Sequence, residues 1–528
     1  MKIAVFTEKI CSKNMKIIKI IKLFPLLPKA ILIPIAISLV FYENLAAFAQ
    51  NNSPINKPPN SYPSIFQPVT PLNNNPKKLV LQDVVILLLA NNTEIKNAYL
   101  DRIIQRGELA VAEDKFRPDF TPTLSVSANK LGDTTNTNST LDARVVMKIP
   151  PGAEINFGWS GNTLTNTNNA INNNGFGQNL QLSFRQPLLR GAGTKVNRAS
   201  VKLARISEQS NIINLKSILT DTITRSIFAY RELLQAQERV KIEQLSLKNA
   251  QESLEVTKAL IAAGRIAPVE IVQEEANIAN RRLSLVEAQN NLESSKLALL
   301  AILDIDKNTN IEAAEIPKVE QVKLDLDNLK QTAIKNQPSY LQSQLNLETN
   351  KIGLVLAKDE KRWDLSLNLD VNDGTNQTND ARAGLIMSRT IGDVSLQQRV
   401  DEARITLQKS ENTFKDINEN LDIELQDRIR NVNLSFSQLE LARQATELSK
   451  RQLDIEQQKQ KLGGRTRVID IVNFQNDLVQ AQNAELFATI QYLNALTTLD
   501  QFLGTTLQTW NIEIDTGNGE QGTGNSEQ

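Results

Sequence analysis

Residues 194–263 read TKVNRASVKLARISEQSNIINLKSILTDTITRSIFAYRELLQAQERVKIEQLSLKNAQESLEVTKALIAA, seventy positions without a glycine or proline, and stop at Gly264. Helix breakers punctuate ordinary domains far more often, so the stretch reads as one rod. At a rise of about 1.5 Å per residue it is about 100 Å long, several times the helix of a small domain. Residues 393–462 form a second breaker-free stretch of equal length and stop at Gly463-Gly464. A compact catalytic domain has little use for such a span, whereas a structure that crosses a wide compartment needs it.

The two stretches belong to a duplication. Adding 245 to the numbers of Asn91, Leu109, Ala112, Asp114, Arg117, Asp119 and Leu124 lands on Asn336, Leu354, Ala357, Asp359, Arg362, Asp364 and Leu369. Adding 200 carries Gly264, Arg265, Ile271, Val272, Leu299 and Leu303 onto Gly464, Arg465, Ile471, Val472, Leu499 and Leu503, with Asp470 at the place of Glu270. Ungapped registers anchored on a turn glycine mark a tandem repeat.

Sevenfold spacing runs along both rods and back. Leu233, Val240, Leu247, Leu254 and Ile261 are answered by Ile271, Ile278, Leu285, Leu292 and Leu299. In the second half Leu434, Leu441, Leu448, Ile455 and Leu462 precede Ile471, Leu478, Tyr492 and Leu499, with Glu485 interrupting. Such a period packs helices side by side, so each half is expected to be a coiled-coil hairpin. Ile212, Ile213, Ile218, Leu219 and Phe228 then lack partners within one hairpin, and further copies of the chain are expected to cover them.

Ahead of each rod the period changes. Asp83 to Ala112 reads as helix, ended by Pro118 and Pro122. From Thr123 to Gln186 the alternation in 124–127, 155–159 and 180–184 marks half-buried strands. Polar spans rich in Asn and Thr, 132–140 and 161–178, separate them, and Pro150-Pro151-Gly152 forms a tight turn at the opposite end. Long loops on one side and tight turns on the other are the habit of outer-membrane barrels, although a small soluble β-sandwich fits the same segments. A shorter version follows at 365–369 and 383–387. Beyond the amino terminus the longest apolar run is Val84 to Ala90, so a membrane could be crossed only by closed strands.

Residues 1–49 carry seven lysines, the apolar run Ala30 to Tyr42 and Ala47-Phe48-Ala49 before Gln50, a secretory signal with an A-x-A cleavage site. The apolar core is too short for a retained membrane anchor. Met15 is an alternative start that gives a more ordinary signal length. Cleavage removes Cys11, the one cysteine, so no disulfide or thiolate metal site is expected. The full chain has 59 basic and 59 acidic side chains; removal of seven Lys and two Glu with the signal leaves 52 and 57. That balance argues against nucleic acid as a partner. There is no histidine, which excludes Ser-His-Asp and Cys-His catalysis and histidine-based zinc sites. The chain therefore reads as a non-enzyme without cofactor or metal.

Its organisation reads as signal peptide 1–49, Asn/Pro-rich disordered lead-in 50–78, first repeat 79–305 (helix, strands 123–186, hairpin 194–303), linker 306–326, second repeat 327–503 (helix, strands 364–389, hairpin 393–503) and flexible tail 504–528. Gly191-Ala192-Gly193 lacks the third glycine of a phosphate loop and reads as the bend from strand into rod. The hairpin turns, Gly264-Arg265 through Glu270 and Gly464-Arg465-Thr466-Arg467 through Asp470, use Gly to end one helix and an acid to begin the next. Helix capping does not require the repeated arginine after glycine.

In these features the chain resembles the TolC family of outer-membrane efflux proteins over residues 79 to 505. The resemblance rests on Asn91-Asn92 and Asn336-Gln337-Pro338, on Gln186-Pro187-Leu188-Leu189-Arg190-Gly191-Ala192-Gly193 and on the two Gly-Arg-x-x-x-x-acid turns. It implies a mainly helical fold with a β membrane segment, in which a homotrimer closes a β-barrel in the outer membrane above an α-barrel tunnel through the periplasm. It also implies that Gly264, Arg265, Gly464 and Arg465 dock a periplasmic adaptor that links the tunnel to an inner-membrane pump. Glu270, Arg467, Asp470 and Asn473 would form the periplasmic gate, Asn473 standing where the family has a second acid. Pro187, Gly191 and Gly193 would shape the barrel–tunnel junction. The first β segment has four strands where the family pattern has two, and Thr390 replaces the proline expected after the second.

The function implied is export of small molecules or proteins within a tripartite efflux or type I secretion system. A periplasmic adaptor or a poreless coiled-coil scaffold would share the signal and the hairpins. The duplication speaks against the first, and strands at matching places in both halves speak against the second.

Overall fold

The computed structural model describes residues 77–131, 134–166, 176–314, 319–375, 377–461 and 467–514. The signal peptide, most of the lead-in and the end of the tail lie outside the described residues. In order, the elements are β1 (Lys77–Leu79), α1 (Leu81–Asn91), α2 (Thr93–Glu113), β2 (Asp119–Leu131), β3 (Thr134–Lys148), β4 (Glu154–Asn166), β5 (Phe176–Pro187), α3 (Ala199–Ala262) and α4 (Glu270–Leu303). Then follow β6 (Ile311–Ala313), α5 (Leu326–Asn336), α6 (Pro338–Glu360), β7 (Asp364–Gly374), β8 (Gln377–Ser388), α7 (Ser395–Lys461) and α8 (Val468–Leu503). The second repeat reproduces the first with two strands instead of four.

The rods form as the absence of breakers predicts. α3 has 64 residues and α7 has 67, each about 100 Å long. α3 returns through α4 and α7 through α8, and the hairpins pack α3 against α8. Along the hairpins α4 packs on α3, α3 on α8 and α8 on α7, and near the tips α4 also meets α8; nearer the sheet the order is α2–α3–α6–α7. The molecule is a strip four helices wide, with α7 along one edge and α4 and α2 along the other.

The helix expected from Asp83 to Ala112 is two helices. Asn92 breaks it: its side chain accepts the Ile95 N–H at 3.1 Å, and its Nδ2 donates to the Ile302 carbonyl at 2.8 Å. A side-chain oxygen here replaces the backbone acceptor of an unbroken helix and starts a new one. Gln337 does the same in the second repeat, accepting the Tyr340 N–H at 2.7 Å with Pro338 at the first helical position. The helix ends at Glu113, ahead of both prolines; Pro122 instead lies in β2, an edge strand, where a missing N–H is tolerated.

The main core lies midway along the rods. Leu79, Leu88, Ile95, Leu219, Ile223, Leu233, Leu299 and Leu303 are sealed from solvent there. Leu219 is thus buried by α1 and its neighbours, and Ile218 packs on the same cluster. These positions were expected to await another copy; α1 and α2, which fold back over α3, cover them first. β1 and β6 pair in parallel beside this core, so the stretch expected as a linker contributes a strand. The Gln237 side chain extends that pair by donating to the Ala313 carbonyl at 3.1 Å and accepting its N–H at 3.0 Å. Tyr230 Oη donates to the Leu79 carbonyl at 3.0 Å and accepts from the Ala314 N–H at 3.2 Å. Tyr492 holds the later segment likewise, donating to the Glu320 carbonyl and accepting the Val322 N–H, both at 3.1 Å.

The heptad assigned to the second rod requires correction. Leu434, Leu441, Leu448 and Ile455 are all more than half exposed, while Leu425, Val432, Leu439 and Leu453 are buried. Both series have a period of seven, and an offset of two residues is about 200° around a helix, the opposite face. α7 therefore carries two apolar stripes, and the exposed one has no partner among the described residues.

Candidate functional site

The sheet, the bend beneath it and the hairpin tips are the three places where this architecture could act. The sheet is antiparallel in the order β2–β3–β4–β5–β7–β8. Its register aligns the apolar alternates of all six strands on one face. One row across the sheet is Phe120, Val145, Phe157, Leu182, Val371 and Ala381. The next runs Met147, Ile155, Phe184, Leu369 and Ala383. The intervening row, on the other face, is Val146, Asn156, Ser183, Asp370 and Arg382. A hydrocarbon-facing side and a polar side, alternating over six strands, are the surface of a membrane barrel wall. A soluble sandwich would need a second sheet over the apolar face; Val126, Leu385 and Met387 are instead exposed. Within one chain the sheet is open, with β2 and β8 as its edges.

At the bend, Pro187 closes β5, and Gly191 (φ 78°) and Gly193 (φ 91°) adopt left-handed backbone. The Gly191 N–H donates to Asp359 at 2.8 Å, and Asn197 Nδ2 donates to the carbonyls of Gly191 at 2.8 Å and Gly193 at 3.0 Å. Arg190 reaches Asp364 at 2.6 Å, tying the bend to the start of β7. In the second repeat, where Thr390 stands for the expected proline, Gly392 (φ 85°) makes the turn and Arg389 stacks on Trp363 at 5.1 Å. Ile391 and Val394 beside it are strongly exposed.

At the tip of the first hairpin, Gly264 (φ 71°) ends α3: its N–H donates to Ile261 O at 2.8 Å and the Arg265 N–H to Leu260 O at 2.9 Å. This pair of reversed bonds satisfies the last carbonyls of the helix. Nothing lies within 4 Å of a Cβ placed on Gly264, and Arg265 is exposed. Val269 and Val272 are 70% and 63% exposed beside them, an apolar contribution to the tip that the capping pattern did not suggest. Gly464 and Arg465, their counterparts, lie outside the described residues.

The residues expected at the gate come together in part. Arg467 grips Asp470 with two bonds, Nε to Oδ2 at 3.0 Å and Nη2 to Oδ1 at 2.9 Å. That grip holds the Asp470 carboxyl below the usual carboxylate range. Arg467 is pushed up by the same bonds and, more weakly, by the charge of Glu270. Glu270 begins α4, so the two hairpins meet electrostatically here. Asn473 is exposed one turn further along α8.

Between the hairpins, polar pairs lie beside apolar contacts: Leu486 and Ile490 of α8 belong to the cluster that holds Leu233 and Leu234 of α3. Asn277 donates to Gln475 at 3.3 Å, Arg281 pairs with Asn476, and Arg231 donates to Asn494 at 3.0 Å and Thr497 at 2.9 Å. Burial pulls the Arg231 guanidinium down to about 10. Inside the first hairpin Glu274 is buried and accepts from Ser253 at 2.8 Å and Thr257 at 3.4 Å. Its Oε2 is buried with no hydrogen-bond partner, and burial pushes its carboxyl up. A carboxyl raised on folding stabilises most below its ordinary pKa and loses that contribution as pH rises through the raised value. Glu274→Gln should therefore raise the melting temperature near pH 7, by the order of 1 kcal/mol in stability, and narrow the gap between melting at pH 5 and pH 7. An unchanged gap would place the sensitivity elsewhere.

A strip of long hairpins ending in a one-sided amphipathic sheet is the subunit architecture of an outer-membrane channel-tunnel of TolC-like fold. Residues 84–304 match the family described as "Outer membrane efflux protein". The chain is similar to the CmeC outer membrane channel of Campylobacter jejuni, with 15% identity, 83% of this chain and 87% of that one covered, and a TM-score of 0.59. It is similar to VceC of Vibrio cholerae (15%, 80% and 96%, TM-score 0.60) and to the MtrE outer membrane channel of Neisseria gonorrhoeae (14%, 80% and 88%, TM-score 0.57). No curated protein sequence matches. The family match covers the first repeat, and the solved channels share the fold of the whole strip, long helical hairpins joined to an antiparallel sheet.

Proposed function

We propose that three copies of this chain join edge to edge into one conduit, through which small molecules or proteins leave the cell without contact with the periplasm. The observation that carries this reading is the continuity of one subunit: a membrane-type sheet stands directly on rods about 100 Å long. The exposed leucine stripe of α7 on one edge, and Leu100, Ile103 and Ile104 of α2 with Leu283 and Val286 of α4 on the other, are apolar surfaces that neighbouring copies would cover. The energy would come from an inner-membrane pump, reached through a periplasmic adaptor seated on the hairpin tips in an efflux or type I secretion assembly. Gly264, Arg265, Val269 and Val272 suit that seat, with Gly464 and Arg465 as their counterparts in the second turn.

Closure at the inner end would depend on the Arg467–Asp470 grip and on Glu270 facing it from the other hairpin. The pairs Asn277–Gln475 and Arg281–Asn476 near the tips would let the hairpins part there, because their bonds can be exchanged for bonds to water. Replacing Asp470 and Glu270 together with Ala should raise resting conductance in planar bilayers severalfold. Unchanged conductance would remove them from the gate. For the natural protein the sign follows from the depressed Asp470 carboxyl: the grip persists at neutral and mildly acidic pH and fails only as pH falls through that lowered value. Conductance should stay flat down to the ordinary carboxylate range and rise below it.

A further inference from the structure

We propose that the groove between α2, α3 and α6 directly beneath the sheet binds an acidic phospholipid of the adjoining leaflet, its phosphodiester held by Arg198 and Lys202. The proposal rests on the reading of the sheet as a membrane wall and adds a lipid site that such a wall does not itself require. The groove has a volume of about 650 Å³ and is lined by Phe116, Val201 and Ile206 between Glu113 of α2 and Glu348 of α6. That size falls within the about 300–1,000 Å³ of small-molecule sites. Arg198, Lys202 and Arg205 also line it, and their spacing of four and three positions puts them on one face of α3. Lys202 reaches Glu348 at 2.7 Å and Arg205 reaches Glu113 at 2.9 Å. The Arg198 guanidinium has no partner among the described residues, and the first turn of α3 holds no acid to offset it. The groove therefore carries one uncompensated positive charge beside an apolar floor, the complement of a phosphodiester with hydrocarbon attached.

Its place on the molecule selects a lipid. Asn197, whose side chain bonds the Gly191 and Gly193 carbonyls of the bend, immediately precedes Arg198, and the Gly193 N–H donates to Pro151 O at 2.9 Å in the inner turn between β3 and β4. Arg198 is thus about one helical turn from the end of the sheet, and the headgroup layer of a bilayer is about 5–8 Å thick. The groove also opens on the hydrocarbon side. Ser200, about 200° around α3 from Arg198, accepts from Lys115 Nζ at 2.8 Å. Burial and the charge of Lys148 lower the pKa of Lys115, and Lys148 stands in the polar row Lys148, Glu154 and Arg185. The Ser200 side of α3 continues the polar face of the sheet, and the Arg198 side continues the apolar face. A lipid phosphate at Arg198 would send its acyl chains up past Phe120 and Val145 on that face. The lead-in is no substitute, since residues 50–76 contain Lys57 and no acid. Neighbouring copies would join at the edges of the strip, whereas the floor of the groove is α3, within it.

Native mass spectrometry of the full chain purified from membranes tests the site, with phosphatidylglycerol, phosphatidylcholine and inorganic phosphate as probes. One phosphatidylglycerol per chain should be retained about tenfold more tightly than phosphatidylcholine, the worth of one bond to a charged group. Arg198→Gln should weaken that preference and Arg198→Gln with Lys202→Gln should erase it, both with unchanged helical circular dichroism, because the two side chains are exposed. Lys258→Gln, about 90 Å further along α3, should leave it intact. Equal retention of the two lipids, or an unaltered preference in the double variant, overturns the proposal. Displacement of phosphatidylglycerol by millimolar inorganic phosphate overturns the lipid as occupant in favour of the free ion. The membrane reading is judged separately, in nanodiscs of brominated phosphatidylcholine. There the fluorescence of Trp159, two positions on from Phe157 on the apolar face, should be quenched, read as the difference from Trp159→Phe. No quenching defeats the membrane wall; quenching without a phosphatidylglycerol preference defeats the groove alone.

Discussion

Leu441→Asp with Leu448→Asp is expected to leave the subunit folded and to abolish its assembly. These side chains are 65% and 63% exposed in the single chain, so their replacement removes no packing within it. In the assembled conduit the stripe would lie against the α4 edge of the next copy. Each leucine then contributes about 1.5–3 kcal/mol of burial, and each aspartate must be desolvated without a cation. With the seam repeated around the ring, the penalty recurs at every contact. Native mass spectrometry of detergent-solubilised protein should show monomers with unchanged helical circular dichroism. A trimer of normal stability would mean that the stripe faces something other than a second copy.

Gly264→Trp together with Gly464→Trp should reduce export to background while the trimer persists. A Cβ at Gly264 meets no atom within 4 Å, and the left-handed backbone costs a residue other than glycine about 1–2 kcal/mol. That cannot unfold a hairpin of this length. An indole there would stand between the tip and any adaptor seated on Val269 and Val272. Gly264→Ala separates the effects: it carries the backbone cost without the bulk, and should retain most export. Full export with both tryptophans would place docking away from the turns.

The sequence was informative where a feature repeats with fixed geometry. The duplication, the two rods and the strand segments all followed from period and from turn glycines, because helix length and strand alternation are local properties. The Asn92 break rests on a local cap over Ile95 that the helical period masks, and the added tie to the Ile302 carbonyl joins positions that no spacing relates. Period seven located apolar stripes on α7 but could not say which stripe faced the chain. The stripe through Val432 and the stripe through Leu434 share one spacing and differ only in direction, and the buried one runs through Val432. Three-residue strands such as β1 and β6 are too short to carry a pattern. The Arg102–Glu208 pair, buried between α2 and α3, joins positions that no spacing rule relates. At the tips, capping explained the glycines, but the grip of Arg467 on Asp470 needed the turn's geometry.

The polar pairs that join the two hairpins near their tips bear on temperature. Parting the tips alone would trade amide and guanidinium bonds for bonds to water and leave the apolar cluster midway along the rods covered. Because heat-capacity change follows newly wetted apolar area, such a transition carries little of it. The balance between shut and open forms should then drift only slightly between cold and warm surroundings, leaving its control to whatever protein presses on the tips.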